Sequence, residues 1–464
     1  MNQEIQITSL PETALLMNNA KQAFHKFQAI PDSAKAEFLD RIALEIEALG
    51  EALLQTTMQE TNLPLARLTG ERGRTTMQLR MFAQMLRDGH WVDASIDHAN
   101  AEKTPPKPDL RKMLVGIGPV VVFGASNFPY AYSTAGGDTA SALAAGCPVV
   151  VKAHPAHLKT SQLIAAAIQK AAAACKMPDH VFQHTASDSF ETGKALVQDP
   201  NTAAVGFTGS YSGGRALYDY AAARKNPIPV FSEMGSTNPV LLLPDTISQN
   251  AVSIAKQYAG SINLGVGQFC TNPGLLILLK SDEGFLDLLA SRLNTMPLGT
   301  FLTKGIKEAY ANGTKLLANH SGVQQLTQAD LPSPALFKTS AKEAMNHPEV
   351  LEEVFGPSTL AIVAEDMEEM IAFIDSLPGQ LTATIQGEKS ELSKSSDLIE
   401  ALTQKVGRIL LNGFPTGVEV SGAMVHGGPF PSTTDSRSTS VGTQAIYRFT
   451  RPVCFQNFSS ELIP

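Results

Sequence analysis

Val120-Val121-Val122-Phe123-Gly124-Ala125-Ser126-Asn127-Phe128-Pro129 is a short apolar, β-branched run that stops at a glycine and turns through polar and proline positions. A run of this kind suits a strand covered on both faces. Its neighbours repeat the pattern. Pro148 to Val151, His180 to His184, Ala203 to Phe207, Ile228 to Phe231 and Val240 to Leu243 are equally short and apolar. Between these runs, Thr134 to Ala145, Thr160 to Ala174, Ser189 to Val197 and Gly213 to Arg224 read as helices. Strands alternating with helices of this length predict a doubly wound α/β fold on a parallel sheet. In such sheets ligands lie beyond the carboxyl ends of strands, where a turn leads into a helix and N–H groups face an anion. Two turns qualify, Gly124 to Pro129 and Phe207-Thr208-Gly209-Ser210-Tyr211-Ser212-Gly213-Gly214-Arg215. Neither has the GxGxxG spacing, and a tight structural turn would need the same glycines.

Upstream, the chain reads as helices that cover a sheet. Pro31-Asp32-Ser33 gives a start signal, and Leu39, Ile42, Ile46 and Leu49 recur at spacings of three and four. A second helix runs from Glu51 toward Asn62, and a third from about Thr75 to Arg87 with Leu79, Phe82 and Met85 on one side. From Asp97 to Lys112 the pattern dissolves into Pro105, Pro106 and Pro108 among charged residues, which marks a connector or an extended edge segment. Downstream, helices at Glu283 to Asn294 and Lys304 to Leu317 and a strand at Gly407 to Asn412 indicate a second α/β region. Ser421 to Thr439, rich in Gly, Pro, Ser and Thr, reads as an ordered loop over a site or interface. Arg451 to Asn457 closes the chain as a short strand.

The 464 residues suggest about three structural units. With 43% hydrophobic and 17% charged residues the composition is that of a globular enzyme or binding protein. A net charge of -8 argues against a broad nucleic-acid surface. No uncharged apolar segment reaches the roughly 18 residues that span a bilayer. Met1 to Ile5 lacks the basic start of a secretory signal, and Cys147, Cys175, Cys270 and Cys454 are scattered with no metal-ligand spacing. A cytoplasmic protein with no metal, membrane or nucleic-acid partner is expected. His154 and His157 have no third ligand beside them.

Gly267-Gln268-Phe269-Cys270-Thr271-Asn272-Pro273-Gly274 sets a lone cysteine in a turn ahead of the apolar run Leu275 to Leu279. A thiol is the best side-chain nucleophile once ionised, given a partly open pocket and a base or positive potential nearby. A free cysteine is as often a small buried hydrophobe. The loop alone leaves both readings open.

Three features in one order resemble the aldehyde dehydrogenase family: Ser126-Asn127-Phe128-Pro129, Ser232-Glu233-Met234-Gly235-Ser236 and Gly267-Gln268-Phe269-Cys270. Lys152 between the first two and Glu353-Val354-Phe355-Gly356-Pro357 behind them extend the resemblance over nearly the whole chain. It is nearest the branch of α-ketoglutaric semialdehyde (2,5-dioxopentanoate) dehydrogenases and NADP-dependent fatty aldehyde dehydrogenases, through Thr69 to Leu79, Gly124 to His157 and His426 to Asn457. The resemblance implies a Rossmann-type cofactor domain (1-97 and 117-235), an α/β catalytic domain (236-435) and bridging or oligomerisation segments (98-116 and 436-464). Cys270 is then the nucleophile, Asn127 with the Cys270 N–H the oxyanion donor, and Glu233 the base that activates water. Lys152 resembles the lysine at the adenosine ribose, Gly209 and Ser210 the helix start beside the pyrophosphate, Gly235 part of the glutamate motif, Glu353 the residue at the nicotinamide ribose and Phe355 the ring packed near it. A homodimer or homotetramer is implied, with the last strand joining a neighbour's sheet.

The chain departs from the family pattern in two places, of which the first bears on specificity and the second changes no catalytic role. Lys152-Ala153-His154-Pro155 puts a proline where NAD-preferring relatives carry a ribose-binding glutamate, so NADP is expected to be preferred over NAD, with His154 or Lys159 near its phosphate. Ser236-Thr237-Asn238-Pro239 stands where many relatives have a lysine. A dioxo-acid substrate needs an arginine for its carboxylate, and Arg72, Arg74, Arg437, Arg448 and Arg451 are the candidates. A medium- or long-chain aldehyde is the alternative substrate. A nucleotide-binding scaffold without activity is the alternative from another class.

Overall fold

The computed structural model describes residues 8–328 and 333–463; Met1 to Ile5, read above for a signal, lies outside them. By internal contacts the chain forms two compact units. The first runs to Ser232 and takes in Val420–Met424 and Ser438–Pro464; the second holds Glu233–Glu419 and Val425–Arg437. Glu233, expected at the end of the cofactor domain, therefore groups with the second unit.

The first unit begins with helices α1 (Leu10–Phe27), α2 (Asp32–Ala48), α3 (Gly50–Thr61) and α4 (Leu65–Asp88). The last starts ten residues earlier than the sequence predicts. Gly70 and Gly73 face open space, so they weaken the helix without breaking it. Pro64 caps its start, and Gly89 in the left-handed region (φ 72°) ends it. Strands β1 (Ser95–Asp97) and β2 (Leu110–Gly116) form a three-stranded antiparallel sheet with the C-terminal strand Thr450–Gln456, and β2 lies in the middle.

The main sheet of this unit contains β3 (Val120–Phe123), β4 (Val149–Lys152), β5 (Phe182–Thr185), β6 (Ala204–Thr208) and β7 (Val230–Glu233), in the order β5-β4-β3-β6-β7. Val120, Val121 and Val122 are buried as the unbroken valine run predicts, with β4 and β6 parallel on either side. Helices α5 (Gly137–Ala144), α6 (Leu158–Ala174), α7 (Phe190–Gln198) and α8 (Tyr211–Ala222) connect the strands. The register sets Phe123 opposite Lys152 and Phe207, so the turns after β3, β4 and β6 emerge at one edge.

The sixth apolar run does not join this sheet. As β8 (Val240–Leu242) it pairs with β9 (Leu275–Leu279) and β13 (Gln380–Gln386) in the second unit. That unit's sheet also contains β10 (Gln324–Gln325), β11 (Ala335–Ser340), β12 (Ser358–Ala364) and β14 (Val406–Leu411), in the order β10-β11-β12-β9-β8-β13-β14, all parallel except β10. Its strands are apolar on both sides because both are packed. Leu241, Leu275, Ile277 and Ile362 point into one core, and Val240, Leu242, Leu276 and Val363 into the other. Each fully buried side chain of this kind contributes about 1.5–3 kcal/mol. Helix α9 (Pro244–Asn263) leads from β8 toward the cysteine loop. Among the described residues no helix is long and apolar enough to cross a membrane.

Candidate active site

The cysteine loop is held in shape by backbone conformations that few sequences tolerate. After α9, Gly265 (φ 56°), Val266 (φ 60°) and Gly267 (φ 62°) are all left-handed. Two glycines take this conformation at little cost; the β-branched Val266 is strained in it. A Cβ on Gly267 would lie 2.3 Å from the carbonyl carbon of Gly356, so this position has to be glycine. Side-chain amides hold the rest of the loop. Gln268 accepts from Leu302 N (2.9 Å) and donates to Gly265 O (3.1 Å), and Asn272 donates to Gly356 O (3.1 Å).

Asn238, in the stretch that departs from the family's usual lysine, is buried with its amide 2.9 Å from both the Cys270 and Asn272 carbonyls. Its neighbours Ser236 and Thr237 are in turn tied to the Gln380 side chain. Asn238 therefore clamps the nucleophile's main chain.

Cys270 is half-buried, with its Sγ 3.5 Å from Nε2 of His426. The same nitrogen lies 2.9 Å from Oε1 of Glu233. Both partners are buried, Glu233 at 3% and His426 at 1% exposure. Sulfur, ring nitrogen and carboxylate oxygen all lie within 4.8 Å of one another. Sulfur and carboxylate meet one ring nitrogen, so this is not a linear nucleophile–base–acid relay. One proton position on His426 serves both groups.

His426 comes from the loop predicted to be ordered, but the residue itself was not anticipated. Its segment packs backbone to backbone: a Cβ on Gly379 would lie 2.1 Å from Pro429 O, and one on Gly428 2.1 Å from Gln380 O. Glu233 forms a bridge with Thr433, and Met234 N donates to Ser432 O (2.8 Å). The one signal in the sequence is that His426 is the sole titratable residue between Glu419 and Asp435.

The remaining expected residues divide between the units. In the second, Glu353 lies in a cleft with Gly267, Phe355 and Gly356. Burial of its carboxyl raises its pKa to about 7, against the pull of the Ser236 N–H. A Cβ on Gly235 would lie 2.2 Å from Glu353 Oε2, so this glycine makes room for the carboxylate.

In the first unit, Asn127 is nearly buried in the turn after β3. Lys152 ends β4, where burial lowers its amine against the attraction of Asp188. Ser210 caps α8 by accepting from Gly213 N (3.2 Å), and Gly209 is needed because a Cβ would lie 2.6 Å from the Phe207 ring. His154 stacks on His157 (5.6 Å), and its Nδ1 accepts from Ala156 N. Burial pushes its pKa down to about 3, so at neutral pH it offers a phosphate an N–H and no charge.

The Aldehyde dehydrogenase family profile matches residues 4–452. This chain belongs to the aldehyde dehydrogenase family. Two relatives span nearly all of it. Alpha-ketoglutaric semialdehyde dehydrogenase 2 of Azospirillum brasilense is 49% identical over 454 residues, covering 96% of this chain and 86% of its own. Alpha-ketoglutaric semialdehyde dehydrogenase of Acinetobacter baylyi is 46% identical over 466 residues, covering 98% and 88%. Among solved structures, betaine aldehyde dehydrogenase of Staphylococcus aureus superposes with a TM-score of 0.82 at 17% identity over 98% of this chain and 90% of its own. A glyceraldehyde-3-phosphate dehydrogenase of Methanocaldococcus jannaschii complexed with NADP gives 0.79 at 18% identity, over 98% and 96%. The predicted α/β aldehyde-dehydrogenase-like fold is the one observed.

This aldehyde dehydrogenase is an oxidoreductase of an NAD(P)-dependent family. The capped N-terminus of the 12-residue α8 and the Lys152 amine suit phosphate and ribose. The Glu353 carboxylate, seated where a Cβ on Gly235 would intrude, suits ribose hydroxyls. Most arginines weighed for a substrate carboxylate are engaged elsewhere. Arg72 donates to Gly50 O (2.9 Å), and Arg448 is buried against Asp138 (2.5 Å). Arg437 pairs with Asp435 with its side chain 90% exposed, and Arg451 is exposed on the C-terminal strand. Arg74 remains.

Proposed function

We propose that this aldehyde dehydrogenase oxidises 2,5-dioxopentanoate to 2-oxoglutarate through a thioester on Cys270, with NADP preferred to NAD. The substrate reading is supported by the two relatives at 49% and 46% identity. The mechanism is carried by one observation, the shared approach of Cys270 and Glu233 to Nε2 of His426.

His426 accepts the thiol proton at Nε2, and the imidazolium so formed is stabilised by the Glu233 carboxylate 2.9 Å away. The thiolate attacks the aldehyde carbon. The Asn127 amide and the Cys270 N–H stabilise the resulting oxyanion, a kind of contact whose loss typically costs about 10²–10³ in rate. The bound nicotinamide supplies the hydride acceptor, and Lys152, Gly209, Ser210, Glu353 and Phe355 are the residues that would hold it. Glu233 then takes a proton from water, the oxygen adds to the thioester carbon, and the C–S bond breaks to release the acid and the thiolate. Proline at 155 leaves no carboxylate to repel a 2′-phosphate, which Lys152 can approach. The C-terminal strand lies at a sheet edge, free to extend a neighbour's sheet in a dimer or tetramer.

A panel of 2,5-dioxopentanoate, glutarate semialdehyde, succinate semialdehyde and decanal, each with NAD and NADP, tests the reading. 2,5-Dioxopentanoate with NADP is expected to give the highest kcat/KM. If decanal wins, the substrate assignment fails while the thioester chemistry stands; a tenfold preference for NAD overturns the cofactor assignment.

A further inference from the structure

A dioxo-acid has one carboxylate that a simple aldehyde lacks, and a cation must meet it. We propose that Arg67 and Arg74, on one face of α4, form the seat for the substrate carboxylate; the inference rests on the substrate reading above. Residues 67, 71 and 74 lie along one stripe of a helix, and in α4 that stripe faces the turn carrying Asn127. Arg67 Nη2 donates to the Asn127 carbonyl (2.5 Å), and its guanidinium lies over the Phe128 ring, 4.9 Å from the centroid. Arg74 lies over the Tyr132 ring at 5.2 Å, with Nη2 3.2 Å from the phenol oxygen. Phe128 and Tyr132 meet edge to face at 5.2 Å, so the two guanidinium planes rest on one aromatic pair. Glu71, buried between the arginines, accepts from Tyr130 N (2.8 Å) and Ala131 N (3.0 Å) and ties the turn to the helix.

The other face of α4 shows what a purely structural arginine looks like here. Arg80 and Arg87 reach α2 carboxylates, Glu47 at 2.7 Å and Asp40 at 2.5 Å. Arg67 and Arg74 instead present their planes to rings beside the proposed oxyanion donor. The two guanidinium groups bring positive charge to this stripe beside Asn127, which suits a monoanion. Both arginines are half-buried, where a charge pair is stronger than at an open surface. Resting on rings, they lose little freedom when they bind a carboxylate.

The reach also agrees. Covalent geometry places the Asn127 amide within about 7 Å of the Arg67 guanidinium. An extended 2,5-dioxopentanoate separates its aldehyde oxygen from its carboxylate by about 6 Å. The aldehyde end at Asn127 thus brings the other end to the arginines.

The test compares kcat/KM for 2,5-dioxopentanoate with that for pentanal, an uncharged aldehyde of the same length, in wild type, Arg74→Gln and Arg74→Lys. A charged hydrogen-bonded contact is worth about ten- to a hundredfold. The ratio of the two kcat/KM values is expected to fall at least tenfold in Arg74→Gln, chiefly through KM for the dioxo-acid, and to recover in part in Arg74→Lys. Turnover of pentanal reports that each variant is folded. A wild-type preference for the dioxo-acid that falls less than tenfold in Arg74→Gln overturns the arginine assignment alone. A wild type that does not prefer the dioxo-acid overturns the substrate reading itself.

Discussion

Replacing His426 by Gln tests the proposed proton acceptor, whose Nε2 lies near both Cys270 Sγ and the Glu233 carboxylate. Glutamine is close to histidine in size and keeps an N–H, so packing against the Gly379 and Gly428 backbones survives while the lone pair that accepts the thiol proton is lost. At 3.5 Å from Sγ, Nε2 is within reach of that proton, and positioned proton transfer is worth about 10²–10⁴-fold. The lower end applies, because the amide retains a dipole toward the sulfur. A hundredfold loss corresponds to about 2.7 kcal/mol of barrier. Two assays read the effect separately: kcat/KM for the aldehyde, and the rate of iodoacetamide labelling followed by mass spectrometry of the Cys270 peptide at neutral pH. Both are expected to fall by about a hundredfold in parallel, because both depend on forming the thiolate. Labelling and turnover that each stay within threefold of wild type would refute the assignment of His426 as proton acceptor.

Gly267→Ala is expected to abolish activity and lower Tm, since its Cβ would lie 2.3 Å from the Gly356 backbone and the residue is left-handed; a variant with wild-type kcat and Tm contradicts this account of the loop. The acid limb of stability should reflect His154 together with His184, whose pKa burial pushes down to about 4 and whose Nε2 meets Ser161 Oγ at 2.7 Å. The unfolded chain takes up these protons near the ordinary value of about 6.5, the folded chain only near 4 at His184 and near 3 at His154, so stability falls as pH drops through that window. His184→Gln should flatten the fall in part, and an unchanged slope in denaturation midpoints between those values would show that His154 or another group controls it.

The strands of the first unit are legible because burial on both faces leaves unbroken runs such as Val120 to Phe123 between glycine turns. The same texture does not by itself separate Val240 to Leu242 from those strands, since a run buried in either sheet reads alike and nothing local records the change of sheet. Helix α4 starts early because Gly70 and Gly73 look like breaks in sequence but meet nothing in space. Helix α9 has a start signal at Pro244 and one-sided Ile247, Ile254, Tyr258 and Ile262, yet no expectation named it.

At the site, Cys270 and Glu233 stand out through their motifs, whereas His426 lies 156 residues from the cysteine and acquires its role only from the fold. Asn238 is the converse case. In sequence it only stands beside a departure from the family; in the structure it holds the Cys270 carbonyl. Arg67 and Arg74 differ from the other arginines of α4 only in what they face.

The central claim is a covalent acyl intermediate on Cys270 that Glu233 resolves. It is tested most directly by mixing Glu233→Gln with 2,5-dioxopentanoate and NADP, quenching in acid and mapping the protein by mass spectrometry. The account predicts one burst of reduced cofactor per subunit and a 2-oxoglutaryl group on the Cys270 peptide alone. An unmodified Cys270 after that burst, or steady turnover at the wild-type rate, would contradict it.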